Sequence, residues 1–362
     1  MKKAQNVAVT AVFLFMIYGA ATAFIVSPKE EASLAERRAL ADLPAPSVES
    51  VFGGAFFDEL DAYLADNIFR REWFRSVKAN FGFYALGMKE NNSISYKNGY
   101  LSKTETHING ASVKNVYEKT SDIYEKYLLG AGTKNYFAII PDKGYFFAED
   151  FGYPSIDYEK ILAAVPTDIC EYIDIFPALS LGDYYKTDTH WSQERLFGVL
   201  GALGEKMGFM PCFEYETTAF YPFYGVYVGQ AALDVAPDTI YCLSNDIIDG
   251  CAAFDGVTGA PIPIYDAAAA GGRDGYDVFL GGAHGIIKIE SPLAESEREL
   301  IVFRDSFGSS IAPLLSCSYR SVTLIDTRYV GANEIGKYVD FRGRDVLFLY
   351  GVQSIENSFS MR

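Results

Sequence analysis

The chain has 362 residues, enough for one large domain or two small ones with a buried core. Apolar residues make up 49% and charged residues 22%, an ordinary globular balance, while aromatics reach 15%. A net charge of −16 with no offsetting basic patch excludes a nucleic-acid phosphate backbone as a partner.

The first element is "MKKAQNVAVTAVFLFMIYGAATAFIV", residues 1–26. Lys2 and Lys3 precede an uncharged run from Val7 to Val26, 20 residues long. At about 1.5 Å per residue this run spans a bilayer. Lysines stay on the cytoplasmic side, so the chain beyond the run is exported. Ala21-Thr22-Ala23 also matches a signal-peptidase site, so the segment reads either as a retained anchor or as a signal peptide cleaved after Ala23. Residues 27–48 read as a polar tether, and 49–362 as the working domain.

Residues 50–88 are patterned as helix, with Phe57, Leu60, Tyr63 and Leu64 at i, i+3, i+4 spacing and Phe69, Trp73 and Val77 extending it. Asn98-Gly99 predicts a hairpin turn, and residues 112–130 a further amphipathic helix. "YFAIIP" (136–141) reads as a buried strand, and a helix is expected near 157–164. In "YYKTDTHWSQE" (184–194), Ser192 is placed as an N-cap. Behind it Leu196, Val199, Leu200, Leu203 and Met207 form one apolar stripe. Asp188 and His190 therefore lie on a loop or strand end just before a helix. Residues 210–295 read as an irregular, β-leaning insertion. From 299 the pattern is strand, helix, strand, helix, strand: "LIVFRDSF", "GSSIAPLLSCS", "SVTLIDT", a helix around 331–338, and "DVLFLYGVQS". This predicts a parallel sheet in an α/β fold. Ligands in such sheets bind at the carboxyl ends of the strands, where Ser306 and Gly351 to Gln353 fall.

The five cysteines (Cys170, Cys212, Cys242, Cys251 and Cys317) include no C-x-x-C pair. Buried free thiols or a short Cys242–Cys251 loop both fit. No set of ligands for a metal is visible, and no cofactor is implied.

Only three histidines are present. His107 and His284 lie in polar or glycine-rich loops with no acid in a comparable setting. Asp188-x-His190 has the acid built in. A serine hydroxyl needs a base to take its proton, and the base needs a carboxylate to fix its tautomer. Ser306 has the setting of a nucleophile: a strand end followed by a helix N-terminus, whose amides stabilise an oxyanion. The competing readings are an ordinary loop pair and a helix-capping Asp305-Ser306. Trp191 reads as a packing anchor for the loop.

"KTDTHWS", followed much later by "FRDSFG" and "LIDTRYV", resembles the DHHW protein family, which is related to the SGNH-fold alginate O-acetyltransferase proteins. "SLAERRALADLP" (33–44), "YLADNIFRREWF" (63–74), "YKNGYL" (96–101), "YPFYGVY" (221–227) and "DVFLGG" (277–282) extend the likeness over most of the exported chain. This sequence has Asp-Thr-His-Trp where the family name has Asp-His-His-Trp; the acid and the base are kept. The resemblance implies a circularly permuted, three-layer SGNH-hydrolase-like fold. An ordinary SGNH enzyme begins with its serine block and ends with Asp-x-x-His. Here the acid–base block comes first, and its spacing is one residue shorter. Arg304 stands where the serine block usually has glycine. Gly351-Val352-Gln353 stands where an SGNH enzyme often has G-x-N, so Gln353 is expected as an oxyanion donor with the Ser306 and Gly308 amides.

The expected chemistry is O-acyl transfer, above all O-acetyl transfer, on an extracytoplasmic or cell-envelope glycan. Ser306 is the nucleophile, His190 the base and Asp188 its orienter. The acyl donor comes from a membrane-bound partner or from the substrate itself. Water as acceptor makes the same site a carbohydrate esterase. A non-catalytic glycan-binding or envelope-assembly protein on the same scaffold is the reading from a different class.

Overall fold

The apolar runs of the C-terminal third become the middle of a sheet because neither face of them meets water. The structure is a computed structural model that describes residues 2–33, 35–272 and 274–362. These fall into two compact units, one of residues up to 92 with 228–234, the other of 93–227 with 235–362. Residues 49–92 thus group with the N-terminal segment, and the sheet-bearing unit opens at Ser93.

In the N-terminal unit, α1 (Lys2–Val26) contains a 24-residue stretch, Lys3–Val26, long and apolar enough to cross a membrane. The stretch read as a tether is partly structured, with Ala32–Ser33 paired to Arg38–Ala39. Then come α2 (Ala55–Asp66) and α3 (Arg71–Asn80), the latter continuing through a π-helical turn at Phe81–Ala85.

In the second unit, Asn98-Gly99 makes the expected tight turn between Ile94–Lys97 and Tyr100–Lys103, both residues having positive φ (50° and 87°). Its sheet has eight strands: β1 (Lys134–Ile140), β2 (Glu171–Tyr172), β3 (Ala252–Asp255), β4 (Pro261–Ile262), β5 (Ile286–Glu290), β6 (Glu299–Arg304), β7 (Ser321–Ile325) and β8 (Asp345–Gly351). Their order is β4-β3-β5-β7-β6-β8-β1-β2. The run β7-β6-β8-β1-β2 is parallel. The β4-β3-β5 edge joins β7 antiparallel.

The core has two sides. Leu300 and Val302 of β6 face one cluster, and Ile301 and Phe303 the other; all four are fully buried. Each such side chain contributes roughly 1.5–3 kcal/mol. On the first side lie α5 (Lys143–Phe151), α6 (Phe197–Met207) and α7 (Phe307–Leu315). On the other lies α4 (Gly110–Ile123). The result is a three-layer α/β fold with a mostly parallel central sheet.

Three expectations change. Within the segment 210–295, β3, β4 and β5 belong to the central sheet, while Glu216–Phe223 and Asp238–Ser244 pair in a two-stranded sheet of their own. The helix expected around 331–338 is a single 3-10 turn, Ile335–Lys337, in a stretch interrupted by Gly331 and Gly336. Ser192 does not cap its helix. Its amide and hydroxyl both go to the Asp183 carbonyl (2.8 and 3.3 Å), and a 3-10 turn at Gln193–Arg195 precedes α6. The apolar stripe of α6 is buried as the spacing predicts.

Candidate active site

The loop carrying the acid and base is closed by its own flanks. Tyr184 and Trp191 bridge antiparallel, and the Tyr185 amide donates to the His190 carbonyl at 3.1 Å. Trp191 is fully buried. Its indole N–H reaches the Ser310 Oγ (2.9 Å) and the Phe307 carbonyl (3.2 Å), so it fastens the loop to α7. That is the anchoring role expected of it.

Ser306 stands between β6 and α7 with its Oγ 2.7 Å from His190 Nε2. His190 Nδ1 is 2.6 Å from Asp188 Oδ1, and the Val226 amide donates to Asp188 Oδ2 at 2.8 Å. The hydroxyl, imidazole and carboxylate form one continuous chain of hydrogen bonds. The imidazole lies flat on Tyr276, with ring centroids 3.8 Å apart and planes 6° apart. The Tyr276 hydroxyl donates to Ser310 Oγ at 2.8 Å, which fixes the platform.

The loop is clamped from two sides. Lys143, 1% exposed, opens α5 one residue beyond Asp142. Its Nζ donates to the carbonyls of Tyr185 (2.9 Å), Lys186 (3.1 Å) and Asp188 (2.6 Å). Burial pushes this lysine down to about 7, while Asp188, Asp238 and Asp142 pull it up. The Asp238 carboxylate takes the Lys186 amide (3.0 Å) and both the amide and hydroxyl of Thr187 (2.7 and 2.6 Å). Gly225 passes so close that a Cβ there would sit 2.4 Å from both the Asp188 Cβ and the Thr187 carbonyl. Only glycine lets that strand of chain bring the Val226 amide to Asp188.

The residues expected to hold an oxyanion divide. The Gly308 amide is already bonded to the Asp305 carbonyl at 3.1 Å, and Gly308 packs over the Arg304 side chain. The Gly351 amide donates to Asp305 Oδ2 at 2.7 Å. Asp305 also takes the Phe307 amide (3.1 Å), so it caps α7 and ties the serine turn to the end of β8. Both glycines therefore serve the turn. Gln353 stays near the site. Its Oε1 accepts from Thr189 (3.4 Å) and its Nε2 donates to the Tyr227 hydroxyl (3.1 Å).

Arg304 joins the last two sequence blocks. It is 2% exposed, with Nη1 3.2 Å from the Asp305 carbonyl and 3.9 Å from Asp326, which Arg328 grips with two further bonds. Burial lowers its affinity for its proton, and Asp326 opposes this.

His284 does have an acid, contrary to the sequence expectation: Asp255 lies 3.2 Å from its Nδ1. No hydroxyl or thiol bonds to this ring among the described residues. The five cysteines are unpaired thiols. Among the described residues no cluster of His, Cys, Asp and Glu could hold a metal.

One carboxyl pair lies at the margin of this region. Burial and then the hydrogen bond and charge of Glu105 raise Glu356 to about 9. Glu105 is lowered, against the pull of burial, by its bonds to Glu356 and Lys103. A carboxyl whose folded value exceeds its unfolded value of about 4.3 holds an extra proton in the folded chain between the two. Stability therefore falls as pH rises through that window. Glu356→Gln keeps the donor and removes the titration. Relative to the parent, it is expected to gain up to about 1 kcal/mol between pH 5 and 9, a small gap because water screens a half-buried pair. Urea midpoints at the two pH values measure it; a constant offset would contradict the shared proton.

The chain is thus a three-layer α/β protein with a mostly parallel central sheet, in which the Asp188–His190 block precedes the Ser306 block in the chain. No protein-family model and no curated protein matches the chain. Among solved structures it is similar to a DHHW family protein from Eubacterium siraeum, at 19% identity over 75% of this chain and 94% of that one, with a TM-score of 0.58. It is also similar to PatB1 of Bacillus cereus, solved with a sulfonyl adduct, at 21% identity over 72% and 95% of the two chains, with a TM-score of 0.56. The likeness to the DHHW family carried by the sequence blocks thus extends to the fold.

Proposed function

We infer that the protein is an extracytoplasmic O-acyltransferase, acting above all on acetyl groups, that modifies a cell-envelope or exported glycan. The observation that carries this reading is the unbroken chain Ser306–His190–Asp188, at 2.7 and 2.6 Å. Ser306 Oγ attacks the acyl carbonyl while His190 Nε2 takes the hydroxyl proton. Asp188 holds the Nδ1–H tautomer and stabilises the imidazolium. The Ser306 amide and Gln353 Nε2 are the donors for the oxyanion. The imidazolium then gives its proton to the leaving group. A sugar hydroxyl, deprotonated by the same imidazole, takes the acyl group from Ser306. The acyl donor outside the membrane comes from a membrane-bound partner, which suits a chain that retains α1.

The test is direct. The full chain in detergent is incubated with an activated acetyl ester and with a sulfonyl fluoride, and adducts are located by peptide mass spectrometry. Label on the Ser306 peptide, absent in His190→Ala, is expected. Folded protein that takes no label from several donors would instead favour the non-catalytic binding module.

A further inference from the structure

In the N-terminal unit, α3 is built inside out. The helices of a water-soluble unit turn their apolar stripe inward and their charges outward. Here Arg71 and Arg75 are tucked in. Arg71 meets Glu36 (2.7 Å) and Asp66 (3.3 Å); Arg75 meets Glu36 (3.1 Å) and the carbonyls of Gly229 and Gln230 (2.9 and 3.2 Å). On the other side Trp73, Val77, Phe81 and Tyr84 succeed one another at helical spacing, and they are 56, 46, 60 and 66% exposed. Phe74 packs edge-on to Trp73 at their margin, also exposed. Arg71 and Arg75 are spent inside the unit, and the rings that would form a core point out of it. A contiguous apolar stripe of this kind marks an interaction surface.

The same unit says what covers it. Its first element is α1, of membrane-crossing length and with none of its apolar stretch buried. The exit of α1 is fastened to the helices after it. The Phe24 ring meets Tyr63 of α2 edge-on at 6.1 Å, and Lys29 Nζ donates to the carbonyls of Phe24 (2.7 Å) and Asn67 (3.2 Å). The stripe therefore belongs to the body that follows directly on a helix of membrane-crossing length. Its residue types, Trp, Tyr and Phe with the exposed cations Arg70 and Lys78 nearby, are those that settle at a membrane–water boundary.

We propose that α3 and its π-helical extension lie along the outer surface of the bilayer, with Trp73, Val77, Phe81 and Tyr84 sunk at the headgroup–acyl boundary. The occupant of this surface is lipid. The stripe makes the N-terminal unit a membrane-riding platform rather than a flexible stalk.

The chain supplies its own probe. It has two tryptophans. Trp191 is fully buried in the sheet-bearing unit, and Trp73 is exposed. The full chain is reconstituted in vesicles of phosphatidylethanolamine and phosphatidylglycerol with or without lipids brominated on the acyl chain. Trp73 fluorescence is expected to fall by more than about half in brominated vesicles and to resist aqueous iodide. Trp73→Phe, a conservative change at an exposed site, removes the quenched component and leaves the Trp191 signal unchanged. Quenching by iodide but not by bromolipid would place the stripe in water and overturn the proposal. Protection from both quenchers would mean that a second copy or another protein covers it, which also overturns the proposal.

Discussion

Ser306→Ala is expected to lower turnover of an activated acetyl ester by at least about 10⁴-fold while leaving the fold intact. The side chain sits at the mouth of a turn whose other bonds belong to its neighbours. Asp305 holds the Phe307 and Gly351 amides, so the turn does not depend on the serine hydroxyl. His190→Ala should cost about as much, and the double variant no more than either single one, because nucleophile and base act as a unit. Asp188→Asn keeps the shape but presents an amide to Nδ1, favouring the wrong tautomer, at a loss of roughly 10³–10⁴-fold. Under the proposed mechanism Gln353→Ala removes one oxyanion donor and should cost about 10²-fold in kcat, with KM little changed. Steady-state rates and circular dichroism on the same preparations decide the matter. An alanine variant at Ser306 that turns over at the parental rate would leave the scaffold as a binding module.

The three residues that meet in one hydrogen-bonded chain were legible because each stands out locally. Asp188 and His190 are two residues apart, and Ser306 comes after an apolar strand. What holds them was not, for a physical reason. Lys143, Asp238 and Tyr276 act across 42 residues of chain or more, on partners that no periodicity links. A lysine after a proline-ended strand looks like a surface cation; its burial appears only when the loop from 185 to 188 is laid over it. Gly225 did lie inside a recognised block, "YPFYGVY", yet its reason is a 2.4 Å approach visible only in three dimensions. The same gap explains the segment 210–295. Its strands β3, β4 and β5, of two to five residues on an antiparallel edge, carry too few alternations to stand out from loop, although they belong to the central sheet. At Gly308 and Gly351 the amides bond to Asp305, and glycine at a turn signals such close approach as readily as an open amide.

Lys143→Met should destabilise the sheet-bearing unit by about 3 kcal/mol at pH 8 and slow acylation of Ser306 by roughly 10- to 100-fold. Methionine matches the stem of lysine in length and packing, so the loss isolates the terminal nitrogen. Its terminal nitrogen donates among three carbonyls of one loop, and removing it leaves buried acceptors that each cost about 1–3 kcal/mol. The sum is offset by no longer burying a polar amine. Lys143→Arg should not rescue the loss, since a planar fork cannot aim at three carbonyls around one point. The pH dependence separates this clamp from simple packing. Burial holds Lys143 near 7 in the folded chain, while an unfolded lysine titrates near 10.4. Between those values the unfolded chain binds the extra proton, so the lysine's contribution to stability rises with pH. The gap between parent and Lys143→Met should widen by on the order of 1–2 kcal/mol from pH 7 to pH 9. Urea unfolding at both pH values reads that slope, and single-turnover labelling of Ser306 reads the loop. A methionine variant as stable as the parent at pH 9 would mean that the acid–base loop holds its shape without the lysine.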